Sequence, residues 1–188
     1  MVDMLLILLI LVFIVFLIAV FYSFSVYNRL KSLRNAGEAT LSQARVAMKK
    51  RLDMIEQLVE SVKSYAKFER ETFEKITGMR ATLGKAGPGE LTKMDGEMRG
   101  LLGNIVAVAE NYPELKTSQT VTLTMNAIKD IEDEIARHRY TYNNIIQEYN
   151  TMLDTIPSKF VGRSAGMSKK EYLDFFEEEL KRPAVGWA

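Results

Sequence analysis

Leu5-Leu-Ile-Leu-Leu-Ile-Leu-Val-Phe-Ile-Val-Phe-Leu-Ile-Ala-Val20 is an unbroken apolar run inside a longer stretch, Met4 to Phe24, that carries no charge. About 20 helical residues, each rising about 1.5 Å, cross the roughly 30 Å hydrocarbon layer of a bilayer. The run therefore reads as a membrane-spanning helix that includes Leu5, Leu9, Phe13, Leu17 and Phe21. A cleaved signal peptide would need a basic start, a shorter apolar core and a small-residue cleavage site. Asp3 stands where the basic residues would be, and Ser23-Phe24-Ser25 is a poor site, so we expect an uncleaved anchor.

Immediately beyond the run, Arg29, Lys31 and Arg34 arrive with no acid before Glu38, whereas the other flank offers Asp3 and the α-amino group. Basic flanks stay on the cytoplasmic side. The expected localisation is the cell membrane, single-pass, with the N-terminus outside and the remaining chain in the cytoplasm. Tyr22 and Tyr27 suit the interface, where a ring sits among headgroups with its hydroxyl in water.

The rest of the chain has the composition of long helices: of 188 residues only four are proline, and no stretch alternates apolar and polar residues as a half-buried strand does. With 25 basic and 24 acidic residues the net charge is +1, so the one-sided basic face of a nucleic-acid binder is missing and no nucleic-acid partner is expected. Cysteine is absent, which removes disulfides, thiolate ligands and thiol nucleophiles together.

Leu41, Met48, Leu52, Ile55, Val59, Val62, Ala66, Phe73 and Ile76 recur at three- and four-residue steps and read as one stripe on a long first helix, continuous with the anchor and with Gly37 as its bend point. Gly84 to Gly89 is a turn, after which Leu91, Met94, Met98, Leu101, Leu102, Ile105, Val108 and Tyr112 mark a second helix ending at Pro113. A third, from about Ser118 to Thr155, carries Met125, Ile128, Ile135, Tyr142, Ile146, Tyr149, Leu153 and Ile156, and Pro157 closes it. After a loop containing Gly162 and Gly166, Ser168-Lys-Lys-Glu171 reads as a capping box opening a short last helix with Tyr172, Leu173, Phe176 and Leu180. The expected fold is all-α: a transmembrane helix continuing into an elongated antiparallel bundle of three long helices plus a short C-terminal one. Its parts are an anchor over residues 1–27, a bundle over 28–182 and a tail over 183–188 that includes Trp187.

The three-four steps also land on charges, namely Glu69 on the first helix and Glu132 and Arg139 on the third. Desolvating an unpaired charge costs several kcal/mol, so these groups are expected to meet in the core. A buried ion pair that sets helix register is the reading favoured here; a proton-handling or ligand site is the alternative. Lys49-Lys-Arg51 reads as a solvated basic face rather than a headgroup site, since Asp53, Glu56 and Glu60 follow it.

Catalysis finds little support. A di-metal helical bundle needs Glu-x-x-His from two helices, and this chain has a single histidine, His138, with Glu134 four residues back. His138 is expected to be a partly exposed packing residue. No phosphate-binding glycine loop and no nucleophile elbow occurs, so neither a catalytic residue nor a cofactor is expected.

An ordered set of landmarks carries a resemblance. It comprises Tyr27-Asn28, Leu33-Arg-Asn35, Lys50-Arg51, Asp53-Met-Ile55, Leu58-Val59, Val62-Lys-Ser-Tyr65-Ala66, Glu69, Ala109-Glu-Asn-Tyr-Pro-Glu-Leu-Lys116, Glu132, Ile135-Ala136, Arg139, Tyr142-Asn143, Tyr149-Asn150 and Pro157. By these the chain resembles the LemA family of bacterial and archaeal membrane proteins over nearly its full length. It departs where the family has Ile-Pro-Asn-Leu-Val and this chain has Ile55-Glu-Gln-Leu-Val59, which should leave the first helix straighter. It also departs in lacking a tryptophan near Leu41 and in having Ser64 where the family has glycine. The resemblance implies a helical bundle on one membrane helix with a short outward N-terminus, and it does not imply an enzyme. Some relatives are linked to membrane shaping, including magnetosome biogenesis, and others to a membrane metalloprotease.

The expected function is a non-enzymatic scaffold that self-assembles and organises or shapes the bilayer, its partners being lipid and further copies of itself. The alternative is a tethered adaptor that binds a membrane protease or another membrane protein through the bundle groove or last helix. A third reading, an enzyme or ligand carrier, would use Glu69, Glu132 and Arg139.

Overall fold

The computed structural model describes residues 2–63 and 70–174, and the structural statements below concern those residues. They form α1 (Val2–Val62), α2 (Arg70–Leu83), α3 (Pro88–Asn111), α4 (Pro113–Lys116), α5 (Gln119–Asp154) and α6 (Ser158–Ser164), with no strand among them. The protein is all-α. α1 passes from the apolar run through Gly37 without a break in helical structure. The chain divides into two compact units, one of residues 1–38 and 144–170 and one of 39–143 and 171–188.

In the first unit most of the apolar half of α1 is left uncovered by protein. Leu5, Leu9, Phe13, Leu17 and Phe21 are 38 to 72% exposed, and leaving such side chains in water forfeits about 1.5–3 kcal/mol for each. α1 is long and apolar enough to cross a membrane, and an apolar surrounding is what this segment requires. Below it Val26, Leu30 and Leu33 close on Tyr149 and Leu153 of α5, with Ile145, Met152, Val161 and Met167 against them. Arg29 and Glu148 pair at 2.5 Å on the same side. α6 folds back onto this core through Gly162, where a Cβ would overlap Leu153 Cδ2. Gly166, at φ 64°, then reverses the chain as glycine does at a helix C-terminus.

The second unit is an up-down-up-down bundle, and its directions follow from pairs of contacts. Arg80 of α2 meets Asp53 and Glu56, while Arg45 donates to the Ala86 carbonyl, so α2 descends along α1. Asp95 of α3 then lies level with Arg51, and Glu132 of α5 returns to the same arginine. Leu41, Met48, Leu52, Ile55, Val59 and Val62 of the expected stripe are buried, as are Leu91, Met98, Leu101 and Ile105 on α3 and Ile128, Ile135 and Tyr142 on α5. Pro88 opens α3, and the Glu90 carboxylate accepts from the Gly87 N–H at 3.0 Å.

Several local expectations change. Ile76, read as the continuation of the first stripe, lies on α2, which runs opposite to α1 and also buries Met79 and Leu83. A reversal leaves the three-four period intact, and no proline or glycine announces it. The stretch read as a loop after Pro157 contains α6, with Gly162 serving close packing rather than a turn. Ile156, placed on a core stripe, is 74% exposed. Residues 168–174 are not helical, because side chains of α5 take their backbone groups before a first helical turn does. In the first unit Asn150 accepts from the Lys170 N–H and donates to its carbonyl. In the second, Asn143 does the same to Leu173, Tyr142 donates to the Glu171 carbonyl and Arg139 to that of Asp174. Ala66, Glu69, Phe176, Leu180 and Trp187 lie outside the described residues.

Candidate functional site

The second unit is organised around a buried guanidinium. Arg51 follows Met48 by three residues and precedes Ile55 by four, so helical geometry places it on the apolar stripe of α1, and it is 0% exposed. Asp95 stands between Leu91 and Met98 on the buried line of α3 and is 2% exposed. The Arg51 Nη2 donates to Asp95, Nη1 donates to Glu132 at 2.7 Å, and the Met98 sulfur lies 3.3 to 3.4 Å from Nη2 and Nε. Arg99 bridges both acids, 3.2 Å from Asp95 and 3.3 Å from Glu132, and Arg139 approaches Asp95 at 3.6 Å. Among the described residues no buried side-chain nitrogen or oxygen is left without a hydrogen bond.

Electrostatics follow from that geometry. Burial pushes the Asp95 carboxyl up, but the Arg51 charge and hydrogen bond, with Arg99 and Arg139 beyond, outweigh it and hold the group below the usual aspartate value. Between the native and unfolded pKa values the unfolded chain binds the proton and the folded one does not, so stability there rises with pH. The stabilisation is complete above the unfolded value of about 3.9 and is lost as pH falls from there through the native value. Thermal unfolding of the full-length protein in detergent is expected to show this acid loss, and Asp95→Asn should flatten it. Parallel curves for the two proteins would contradict the assignment.

Glu132 and Arg139, expected on the core line of α5, lie in one cluster, in which Glu132 meets Arg51 and Arg99 and Arg139 meets Asp95. Glu69, the third expected member, falls outside the described residues. The basic face expected of Lys49-Lys-Arg51 is corrected by the structure: only Lys49 and Lys50 face outward, because a helix turns each successive residue by about 100°. Asp95, four residues beyond Leu91, takes the buried step on α3, and Met94, expected on that stripe, is only partly buried. His138 is partly buried, 3.6 Å from Glu134, which also lies 3.6 Å from Lys50. A cavity of about 10 Å³ adjoins Asp95 and Arg139, room for one water at most. Leu173 closes it beside Ala44, Met48 and Leu91.

Residues 40–187 match the model of the LemA family. The chain belongs to the LemA family. The LemA match leaves the apolar run outside and contains Arg51, Asp95, Glu132 and Arg139. Protein LemA of Metamycoplasma hominis is 31% identical over 145 residues, 72% of this chain and 64% of that protein. Magnetosome protein MamQ of Magnetospirillum gryphiswaldense is 30% identical over 103 residues, 54% of this chain and 38% of that protein. Magnetosome protein MamQ 2 of Paramagnetospirillum magneticum is 31% identical over the same length. The chain thus spans less than two thirds of these relatives. Family membership and the uncovered apolar half of α1 together make this LemA chain membrane-associated.

Proposed function

We propose that the protein is a non-enzymatic, membrane-anchored scaffold that assembles with copies of itself to organise or curve the bilayer, its N-terminus outside and its bundle in the cytoplasm. The observation that carries the non-enzymatic part of the reading is that, among the described residues, the ionic groups inside the bundle are occupied by one another. Arg51 directs its three nitrogens to Asp95, Glu132 and Met98, and the cavity beside them, about 10 Å³, excludes a substrate. Such a network suits register and rigidity rather than turnover. The relatives named as magnetosome proteins point the same way, given the link to membrane shaping that the resemblance implies.

The test is the mass of full-length protein by light scattering in mild detergent, with electron microscopy of protein-loaded liposomes. A discrete particle of several chains, or deformed vesicles, is the expected result. A monomer at all concentrations on undisturbed vesicles would sink the scaffold.

One observation favours the adaptor alternative. In the second unit Asn143, Tyr142 and Arg139 grip the backbone of residues 171–174, so this face of α5 recognises an extended chain with little regard to side-chain identity. An extended segment of a membrane protease or other membrane protein would be held by the same groups once it displaced residues 171–174. Under that reading Asn143→Ala abolishes partner recovery while leaving the particle mass unchanged.

A further inference from the structure

α6 lies beside the membrane helix, and an open apolar groove of about 580 Å³ runs between them. Phe16, Val20, Phe24 and Tyr27 form one wall, and Val161 with Ala165 forms the other. From Phe16 to Tyr27 α1 rises about 16 Å, the depth of one leaflet of a roughly 30 Å hydrocarbon layer. That wall belongs largely to the uncharged segment, so whatever surrounds the anchor also enters the groove.

The outer side of this region has the chemistry of an interfacial helix. Ile156 and Phe160 are 74% and 64% exposed, and the neighbouring Lys159 and Arg163 are exposed as well. Apolar side chains of such an element sink to the acyl boundary while Lys and Arg stems reach back to anionic headgroups. α6 is also held firmly in place. Ser158 Oγ donates to the Met152 carbonyl at 2.7 Å, the Met167 N–H donates to the Gly162 carbonyl at 3.0 Å, and Gly162 sits against Leu153 and Leu30.

We infer that α6 is a second membrane-contact element, set into the leaflet at the Phe24 end of the spanning segment, and that the groove takes an acyl chain of an anionic phospholipid. Continuity of the groove with the lipid-facing helix and the basic charge at Lys159 and Arg163 select lipid as the occupant. The inference goes beyond self-assembly, since it holds equally for a single copy. It adds a wedge on one side of the anchor, in one leaflet only.

The chain has no cysteine, so single nitroxide labels can be placed on full-length protein at Phe160→Cys and Ser164→Cys, with Ile18→Cys, outside the groove, and Val46→Cys as lipid and water references. Both test positions are exposed and their substitution leaves the core intact. In vesicles of phosphatidylcholine and phosphatidylglycerol, the oxygen-to-nickel-chelate accessibility ratio at 160 and 164 is expected to exceed that at 46 severalfold and approach that at 18. A ratio equal to that at 46 would place α6 in water and overturn the inference. Low accessibility to both reagents would also overturn it, because a second copy or another protein would then fill the groove.

Discussion

Asp95→Ala is expected to destabilise the folded protein by about 3–5 kcal/mol, the cost typical of removing one partner from a buried ion pair. The substitution deletes a hydrogen-bond acceptor and, more expensively, strands charge. Arg51 is 0% exposed and cannot turn to solvent, and Arg139 beside it is 5% exposed. Glu132, with a side chain 25% exposed, is left as the acid facing Arg51. Denaturant unfolding of the full-length protein in detergent, followed by circular dichroism, measures the loss. A change under about 1 kcal/mol, the range of exposed pairs, would mean that the cluster is hydrated. Replacing Arg51, Asp95 and Glu132 together by Met, Leu and Leu should cost less than Asp95→Ala alone, because the Arg51 charge is then no longer stranded and Arg139 keeps the Asp174 carbonyl as acceptor. If that triple variant keeps its stability but loses its oligomeric mass, the ion network serves specificity of packing rather than stability.

Leu30→Ala is expected to cost about 2–5 kcal/mol, the range for a fully buried leucine whose site collapses only in part. Leu30 is 0% exposed and lies within the cluster of Val26, Leu33, Tyr149 and Leu153, where Gly162 of α6 also rests. The cavity should loosen the end of α5 and α6 first, which hydrogen exchange over residues 145–167 reads directly. Leu9→Ala is the control. Leu9 is 62% exposed on the apolar run, so its loss opens no cavity inside the protein and should leave that exchange unchanged. Unaltered exchange in Leu30→Ala would show that α6 is held by its own hydrogen bonds and not by this core.

Much of the fold was legible because both of its main signals are local. Spacing alone placed Met48, Leu52 and Ile55 on one face and Glu132 and Arg139 on another, and every one of these except Glu132 is buried. Where the steps met a charge inside a basic triplet, composition misled: Lys49 and Lys50 drew Arg51 into a solvated reading that its own position contradicts. The repeat Tyr142-Asn143 and Tyr149-Asn150 was also in view, seven residues apart and hence on one helix face. Its meaning was hidden, since an asparagine that binds a distant backbone looks like any polar surface residue until the distant segment is in place.

By itself the sequence determined that the protein is helical and bears an apolar span, because helix period and uncharged length are properties of consecutive residues. It also put Arg139 on a buried step, where the side chain is 5% exposed, because helical spacing fixes which face a residue occupies. Only the tertiary structure decided that the chain reverses after α1, that Arg51 and Asp95 centre the ion network, that residues 171–174 are extended and that α6 lies against the anchor. Each of these depends on which groups meet across long sequence separations, and a periodic pattern reads the same whichever partner its buried face finds.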